Sequence, residues 1–190
     1  MKHLVSAMAA LMTLLVAQSA VLAQESRLRS YELPNLDVFE LTVPPTWIDS
    51  VDQPDDGGPP TIEFKPPVDP AFEIYVTPNW PNTPDESVPD AETLRERVRA
   101  EAERMSGHMV EQNPEIRRLQ GASGVGFYFV ATDPASEPEE FRTMNQGLLQ
   151  VGDLTVMFTI LTNEGQQSVV EEALAMLTSA IHRDTGLDQH

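Results

Sequence analysis

The sequence predicts an α+β domain in which an antiparallel β-sheet is flanked by helices. Strand-like runs follow one another without a helix between them, and each series of strands ends in one amphipathic helix. The centre of the sheet is predicted at residues 148–162, where the turn dipeptide Gly152-Asp153 joins two apolar arms. The second arm is apolar on both faces, so we expect a central strand with a layer packed on each side.

Composition limits the classes of function. The 190 residues contain no cysteine, which excludes disulfides, thiolate metal sites and a cysteine nucleophile. The formal net charge is −18, and because residues 1–23 contain Lys2 and no acid, residues 24–190 are even more acidic. Nucleic acid and anionic membrane surfaces are therefore not expected as partners. A cationic partner or calcium would be favoured, although acidity that serves solubility alone is the simpler interpretation.

Residues 1–23 have the pattern of a secretory signal peptide. A short basic start is followed by an apolar run from Leu4 to Val16, and Val21-Leu22-Ala23 fits a small-residue cleavage site. The apolar run is too short to span a membrane, so we expect cleavage after Ala23 and no stable membrane insertion afterwards. An uncleaved anchor is the alternative. The predicted location is the periplasm, with secretion as the second possibility.

The first half of the remaining chain is rich in proline. Residues 24–36 are predicted to be an extended N-terminal segment ahead of the domain. Short alternating strands, bounded by prolines, follow at 38–43, 61–65 and 72–77. Trp47 comes directly after the first of these strands, where a large aromatic residue typically closes the end of a core. Trp80 lies in the loop at 78–89.

The second half contains both predicted helices. Apolar residues at three-four spacing predict the first helix over 91–106, with acidic residues at its start. Further strands are predicted at 116–119, 125–132, 141–151 and 154–162. A capping-box pattern at Ser168 and a second apolar stripe predict a final helix over 169–182.

Four arginines of the first helix are candidate partner-binding residues. Projected at about 100° per residue, Arg95 and Arg99 flank one side of the apolar stripe, and Arg97 and Arg104 flank the other. This layout is typical of a salt-bridged solvent face, with Glu101 and Arg104 as one predicted pair. A patch for an acidic partner, if the chain has one, is predicted on these arginines.

No residue is predicted to be catalytic, and no cofactor is predicted. Ser123 lies in a glycine-rich segment without the spacing of a nucleophile elbow. His108 and His182 are each predicted at the end of a helix, where an imidazolium is favoured by the helix dipole. The densest acidic loop carries three candidate calcium ligands, although its pattern is not that of an EF-hand and a solvated turn is the alternative. These candidates are Asp52, Asp55 and Asp56.

Four stretches of the chain resemble the Mog1/PsbP-like superfamily, which includes DUF1795 and DcrB-type bacterial envelope proteins. They are VPPTWIDS at 43–50, FEIYVTP at 72–78, DAETLRERV at 90–98 and MNQGLLQVGDLTVMFTILTN at 144–163. The resemblance, which covers 37–183, implies a single domain over 37–190 with an α-β-α sandwich around an antiparallel sheet. It also implies a binding or assembly factor rather than an enzyme, and it carries over no family-wide binding residues.

We therefore expect an exported, non-catalytic binding or assembly protein of the bacterial cell envelope. Its partner is expected to be another envelope protein, bound through the sheet edge, the helix arginines or the loops of Trp47 and Trp80. One alternative is a calcium-responsive periplasmic module that uses the loop from Asp52 to Asp56. A second alternative is a hydrolase-type enzyme with a pair of carboxylates in a pocket.

Overall fold

The structure, a computed structural model, describes residues 26–33, 37–55, 57–68, 71–81 and 87–183. Within these ranges the chain forms ten strands and two α-helices. In chain order they are β1 (Arg27–Glu32), β2 (Val38–Val43), β3 (Ile48–Asp52), β4 (Thr61–Lys65), β5 (Phe72–Asn79), α1 (Ala91–Met105), β6 (Arg117–Gln120), β7 (Val125–Thr132), β8 (Thr143–Val151), β9 (Leu154–Thr162), α2 (Gln167–Thr178) and β10 (Ile181–Arg183). A short 3₁₀ helix, Ser106–His108, directly follows α1.

β9 lies in the middle of the main sheet, as the sequence predicts. Seven strands form this antiparallel sheet in the order β3-β4-β5-β9-β8-β7-β6. The turn between β8 and β9 is Gly152-Asp153, and Gly152 has a φ of 58°, which glycine adopts without strain. Both edges of β9 are hydrogen-bonded, to β5 and to β8. The predicted α+β class with an antiparallel sheet is confirmed.

Two elements cover one face of the main sheet. Alternate residues of β9, from Leu154 to Thr162, are buried on this face, where α2 packs against the strand. Beside α2, a three-stranded sheet of order β1-β2-β10 contributes to the same core, and the Tyr31 ring meets the Phe64 ring edge-on at 6.2 Å. Each large apolar side chain buried here stabilises the fold by about 1.5–3 kcal/mol.

α1 covers only part of the opposite face. The Asp90 carboxylate caps its first turn by accepting a hydrogen bond of 2.8 Å from the backbone N–H of Thr93. The helix packs mainly on β7 and forms a second, smaller core there. The fully or largely buried members of that core are Leu94, Val98, Ala102, Met109, Phe127, Phe129 and Ala131. On β9 itself Met157 is 43% exposed, so the expected layer on each side of the central strand is wrong for this face.

The uncovered part of this face turns polar from β9 towards β3. The Tyr75 hydroxyl donates a hydrogen bond of 2.6 Å to Glu73, and the hydroxyls of Thr61 and Thr77 lie 2.9 Å apart. Glu63 accepts hydrogen bonds from neighbouring side chains on β3 and β4. These polar groups satisfy one another, and the apolar surface left open on this face includes the strip between β9 and α1 and, at the edge strand β3, Ile48, which is 42% exposed.

The chain ends depart from the predicted element bounds. Residues 27–32, predicted to be an extended segment ahead of the domain, are extended but pair with β2 as strand β1. The final helix stops at Thr178 rather than His182, because the next residues pair with β2 as strand β10. The Ser179 hydroxyl accepts a hydrogen bond from the backbone of Thr42, and Arg183 is bound to Glu40 at 2.6 Å. Pairing with a distant strand therefore overrides local helix propensity here.

The predicted signal peptide at 1–23 lies outside the described residues. Among the residues that the structure does describe, neither helix is long and apolar enough to cross a membrane.

A substitution at Gly147 tests the packing of β8 against its neighbours β7 and β9. A Cβ atom at this position would lie 2.3 Å from the carbonyl oxygen of Phe127 and 2.8 Å from the ring of Phe158. We expect Gly147→Ala to lower the free energy of unfolding in urea by about 2 kcal/mol, the cost of overpacking a filled core. Gly107→Ala is the matched control, because a Cβ there meets nothing within 4 Å. Equal loss in both variants would contradict the packing described.

Tyr75 makes the stability of the sheet sensitive to alkaline pH. Its hydrogen bond to Glu73, followed by burial, raises the pKa of Tyr75 to about 12. In the unfolded chain the hydroxyl ionises near its ordinary pKa of 10.0, so the folded state loses stability between pH 10 and about pH 12. We expect urea titrations to show a smaller loss over this window for Tyr75→Phe than for the unaltered protein. Identical alkaline profiles would rule out this linkage.

Candidate functional site

A groove runs between α1 and β9, along the border of the uncovered sheet face. It consists of two adjoining recesses of about 440 and 290 Å³. Both recesses are lined by Arg97 of α1, Leu148 of β8 and Met157 of β9, so they form one continuous depression. Concave surfaces of this size with mixed apolar and polar walls are where proteins usually bind ligands.

The larger recess is lined by the segments that flank β5 and α1. Trp80 follows β5 directly and is only partly buried, with one side packed on the main core. Prolines contribute further rigid apolar wall, namely Pro59, Pro81 and Pro89. Because these side chains have little conformational freedom to lose, a ligand that contacts them is bound with a small entropic cost.

Arg97 provides the positive charge of the groove. The arginine is exposed on the side of α1 that faces β9, and it forms no hydrogen bond or ion pair with any other described residue. The neighbouring Glu101, which also lines the smaller recess, is bound by Arg104 through two hydrogen bonds. The groove therefore presents one unpaired guanidinium in a chain whose net charge is −18.

The amide side chain of Gln146 lines the smaller recess. This residue of β8 faces α1, opposite Phe129 in the register of β7 and β8. Its Oε1 atom is buried without a hydrogen-bond partner in the described part of the chain. Leaving a buried amide oxygen unpaired costs about 1–3 kcal/mol. This oxygen has no exposed surface, so a ligand in the recess contacts the rest of the Gln146 amide.

The structure brings together two of the six predicted partner-binding residues. Trp80 and Arg97 both line the larger recess. Arg95, Arg99 and Arg104 are exposed on α1 but line neither recess. The predicted pair of Glu101 and Arg104 is confirmed, with one hydrogen bond of 3.0 Å from Nε.

Trp47 is unsuited to bind a partner. It is 5% exposed, and its ring packs on that of Phe72 at 4.9 Å between centroids. The packing of Trp47 agrees with the prediction that it closes the end of the core. It does not agree with the prediction that Trp47 binds a partner at the surface.

The predicted calcium ligands do not form a cluster in the described chain. Asp52 ends the edge strand β3, Asp55 is exposed in the following turn, and Asp56 lies outside the described residues. No group of three or more histidine, aspartate or glutamate side chains suited to a metal occurs among the described residues.

His182 is placed differently from the prediction. It lies in β10 rather than at a helix end, and its Nε2 atom is 3.3 Å from Asp37 in a geometry too poor for a hydrogen bond. His108 ends the 3₁₀ helix after α1 and is exposed. Ser123 donates a weak hydrogen bond of 3.4 Å to the carbonyl of Ala180, and in the described part of the chain neither histidine forms a hydrogen bond with a hydroxyl group.

Sequence reasoning missed three residues of the groove. Gln146, Leu148 and Met157 all lie on strands that the sequence identifies correctly, and the alternation of β8 and β9 already places them on one face. One usable signal was that Gln146 lies between Met144 and Leu148 on the same face of β8, a polar residue among apolar ones. The alternation does not show where α1 crosses the sheet, and this position decides which of these residues line a groove.

Comparisons with known proteins concern the fold. No protein-family model and no curated protein matches this sequence. The chain is similar to a crystal structure from Bacteroides thetaiotaomicron VPI-5482, with a TM-score of 0.53 and 11% identity over 86% of this chain and 50% of that one. This chain thus spans about half the length of that protein. At so low an identity the likeness shows the α+β fold alone.

A second solved structure is the solution structure of cyanobacterial PsbP (CyanoP) from Synechocystis sp. PCC 6803. It has a TM-score of 0.48 and 14% identity over 87% of this chain and 97% of that one, which is too distant to carry an argument. Membership of the DUF1795 or DcrB-type group therefore stays a prediction.

Proposed function

We propose that this protein is an exported, non-catalytic binding protein of the bacterial cell envelope. Its groove between α1 and β9 takes an extended segment of another envelope protein that carries an apolar residue next to an acidic one. The observation that carries this proposal is the convergence of Trp80, Arg97 and Met157 on one open strip of surface.

Charge complementarity argues for an acidic residue in the partner. Arg97 has no ionic partner among the described residues, and Glu101 is already neutralised by Arg104. A carboxylate placed over Arg97 would form a charge-assisted hydrogen bond, which is about twice as strong as a neutral one. A second copy of this acidic chain is a poorer occupant, because the two copies would repel each other.

The shape of the groove argues for an extended peptide. Apolar walls at Trp80, Leu148 and Met157 accept one apolar side chain, while the Gln146 amide, which lines the smaller recess, offers a polar group to the backbone of the peptide. An extended chain offers both groups at intervals of about 3.3 Å. An extended segment can therefore contact the apolar walls, the Gln146 amide and the Arg97 guanidinium without forming secondary structure of its own.

The compartment rests on the sequence alone. The signal-peptide pattern of residues 1–23 supports export, and the resemblance to Mog1/PsbP-like envelope proteins supports a role in binding or assembly. Neither of the other two functions expected from the sequence is supported by a specific geometric observation. The aspartates at 52 and 55 form no cluster, and no described carboxylate pair lies in either recess of the groove.

A peptide selection tests the groove directly. We expect random peptides selected on the purified protein to share an apolar residue adjacent to aspartate or glutamate. Their affinity should fall about tenfold, or about 1.4 kcal/mol, in Arg97→Glu, because the favourable charge contact becomes repulsive. Calorimetric titration of the selected peptides gives the affinities.

Arg95→Glu is the matched control for this experiment. It makes the same charge change on the same helix, but on the side of α1 away from the groove. Equal weakening in the two variants would mean that total charge rather than the groove governs binding. Selection that yields no common apolar-acidic pattern would end the proposal.

A further inference from the structure

A separate polar recess lies on the other face of the main sheet. It has a volume of about 330 Å³ and opens between α2 and the strands β6 to β9. The groove described above lies on the α1 side, so the sheet itself separates the two cavities. Residues of this recess play no part in the proposed peptide binding.

Two buried polar side chains face this recess without a partner. Asn145 of β8 and Thr162 of β9 are 3% and 2% exposed, and both line the cavity. Neither side chain forms a hydrogen bond with any other described residue. Neither residue has a side-chain polar atom that is both fully buried and unpaired, so their polar atoms are open to the cavity and available to a ligand there.

The recess also has a positive side. Arg117 of β6 lines it, and the ion pair of Arg117 with Glu115 uses only the Nε atom, at 3.2 Å. Burial works against the charge of this guanidinium, but its interactions with Glu115 and the nearby Tyr128 outweigh burial and raise the pKa of Arg117. Terminal nitrogens of the guanidinium are therefore cationic donors at the wall of the recess.

The N-terminal end of α2 lies at the same cavity. Gln166 and Gln167 line the recess, and no side chain caps the first turn of this 12-residue helix. The first backbone N–H groups of a helix carry a partial positive charge that favours an anion. Glu164 lies at the same end, so the charges of the two charged side chains that line the recess, Arg117 and Glu164, sum to zero, and the helix start adds about half a positive charge.

We propose that this recess binds a small organic monocarboxylate that bears a hydroxyl group and a short apolar side chain. Arg117 and the start of α2 receive the carboxylate, and Asn145 with Thr162 binds the hydroxyl. Apolar residues of β7 and α2 that line the cavity contact the side chain, namely Val130, Val170 and Leu174. A single guanidinium with a glutamate beside it suits a monoanion better than a phosphate dianion.

NMR titration of the purified ¹⁵N-labelled protein with lactate, 2-hydroxybutyrate and 2-hydroxyisocaproate tests this assignment. We expect saturable shifts at the Asn145 side-chain amide and at the backbone amides that begin α2. Affinity should rise with side-chain length across the three acids. The neutral amide of 2-hydroxyisocaproate and inorganic phosphate should each bind ~10-fold more weakly, or not at all.

Arg117→Gln should weaken 2-hydroxyisocaproate ~10-fold, whereas Arg118→Gln should leave its affinity unchanged. The two arginines are neighbours on β6 and point to opposite faces of the sheet, so only Arg117 lines the recess. Asn145→Leu is a second variant, which should also weaken 2-hydroxyisocaproate because it removes the amide that binds the hydroxyl. Its folding is checked by circular dichroism. No shift with any of the three acids, equal binding of the neutral amide, or an undiminished affinity in Arg117→Gln would each overturn the proposal.

Discussion

The width of one helix decides where this protein has open surface. A helix with its side chains is about 10 Å across, and neighbouring strands lie about 4.8 Å apart, so a single helix covers about two strands. α1 packs on β7 and β8, and β9 is the next strand in the sheet. On the other face α2 is joined by the sheet β1-β2-β10, and together they bury most of the strands. The groove at Met157 follows from this difference between the two faces.

Most of the fold could be predicted because its elements are encoded locally. β7 and β9 have the bounds predicted from alternation, and α1 begins where Asp90 supplies a cap. The end of α2 could not be predicted, because residues 181–183 are fixed by β2, a strand more than a hundred residues earlier in the chain. No pattern within the helix itself contains that interaction.

Less of the candidate site could be predicted, for a different physical reason. Trp47 and Trp80 have the same chemistry and both follow a strand, yet one is 5% exposed and the other lines a recess. Arg97 and Arg95 are both exposed on opposite sides of the apolar stripe, and only the position of β9 beside α1 decides which of the two sides borders the groove. Sequence patterns identify which residues share a face of a helix or strand. A concave site also depends on where a neighbouring element, here α1, ceases to cover the sheet.

The two cavities lie on opposite faces of one dipeptide of β8, Asn145-Gln146. Successive residues of a strand point to opposite faces, so Asn145 faces the recess under α2 and Gln146 faces the groove beside α1. Gln146 has a buried oxygen without a hydrogen-bond partner, which costs stability, and Asn145, which is 3% exposed, forms no hydrogen bond with any other described residue. Departures of this kind from local consistency are typical of functional sites. Because a register shift of one residue would exchange the two amides, the hydrogen bonding of β8 to β7 and β9 fixes both cavities at once.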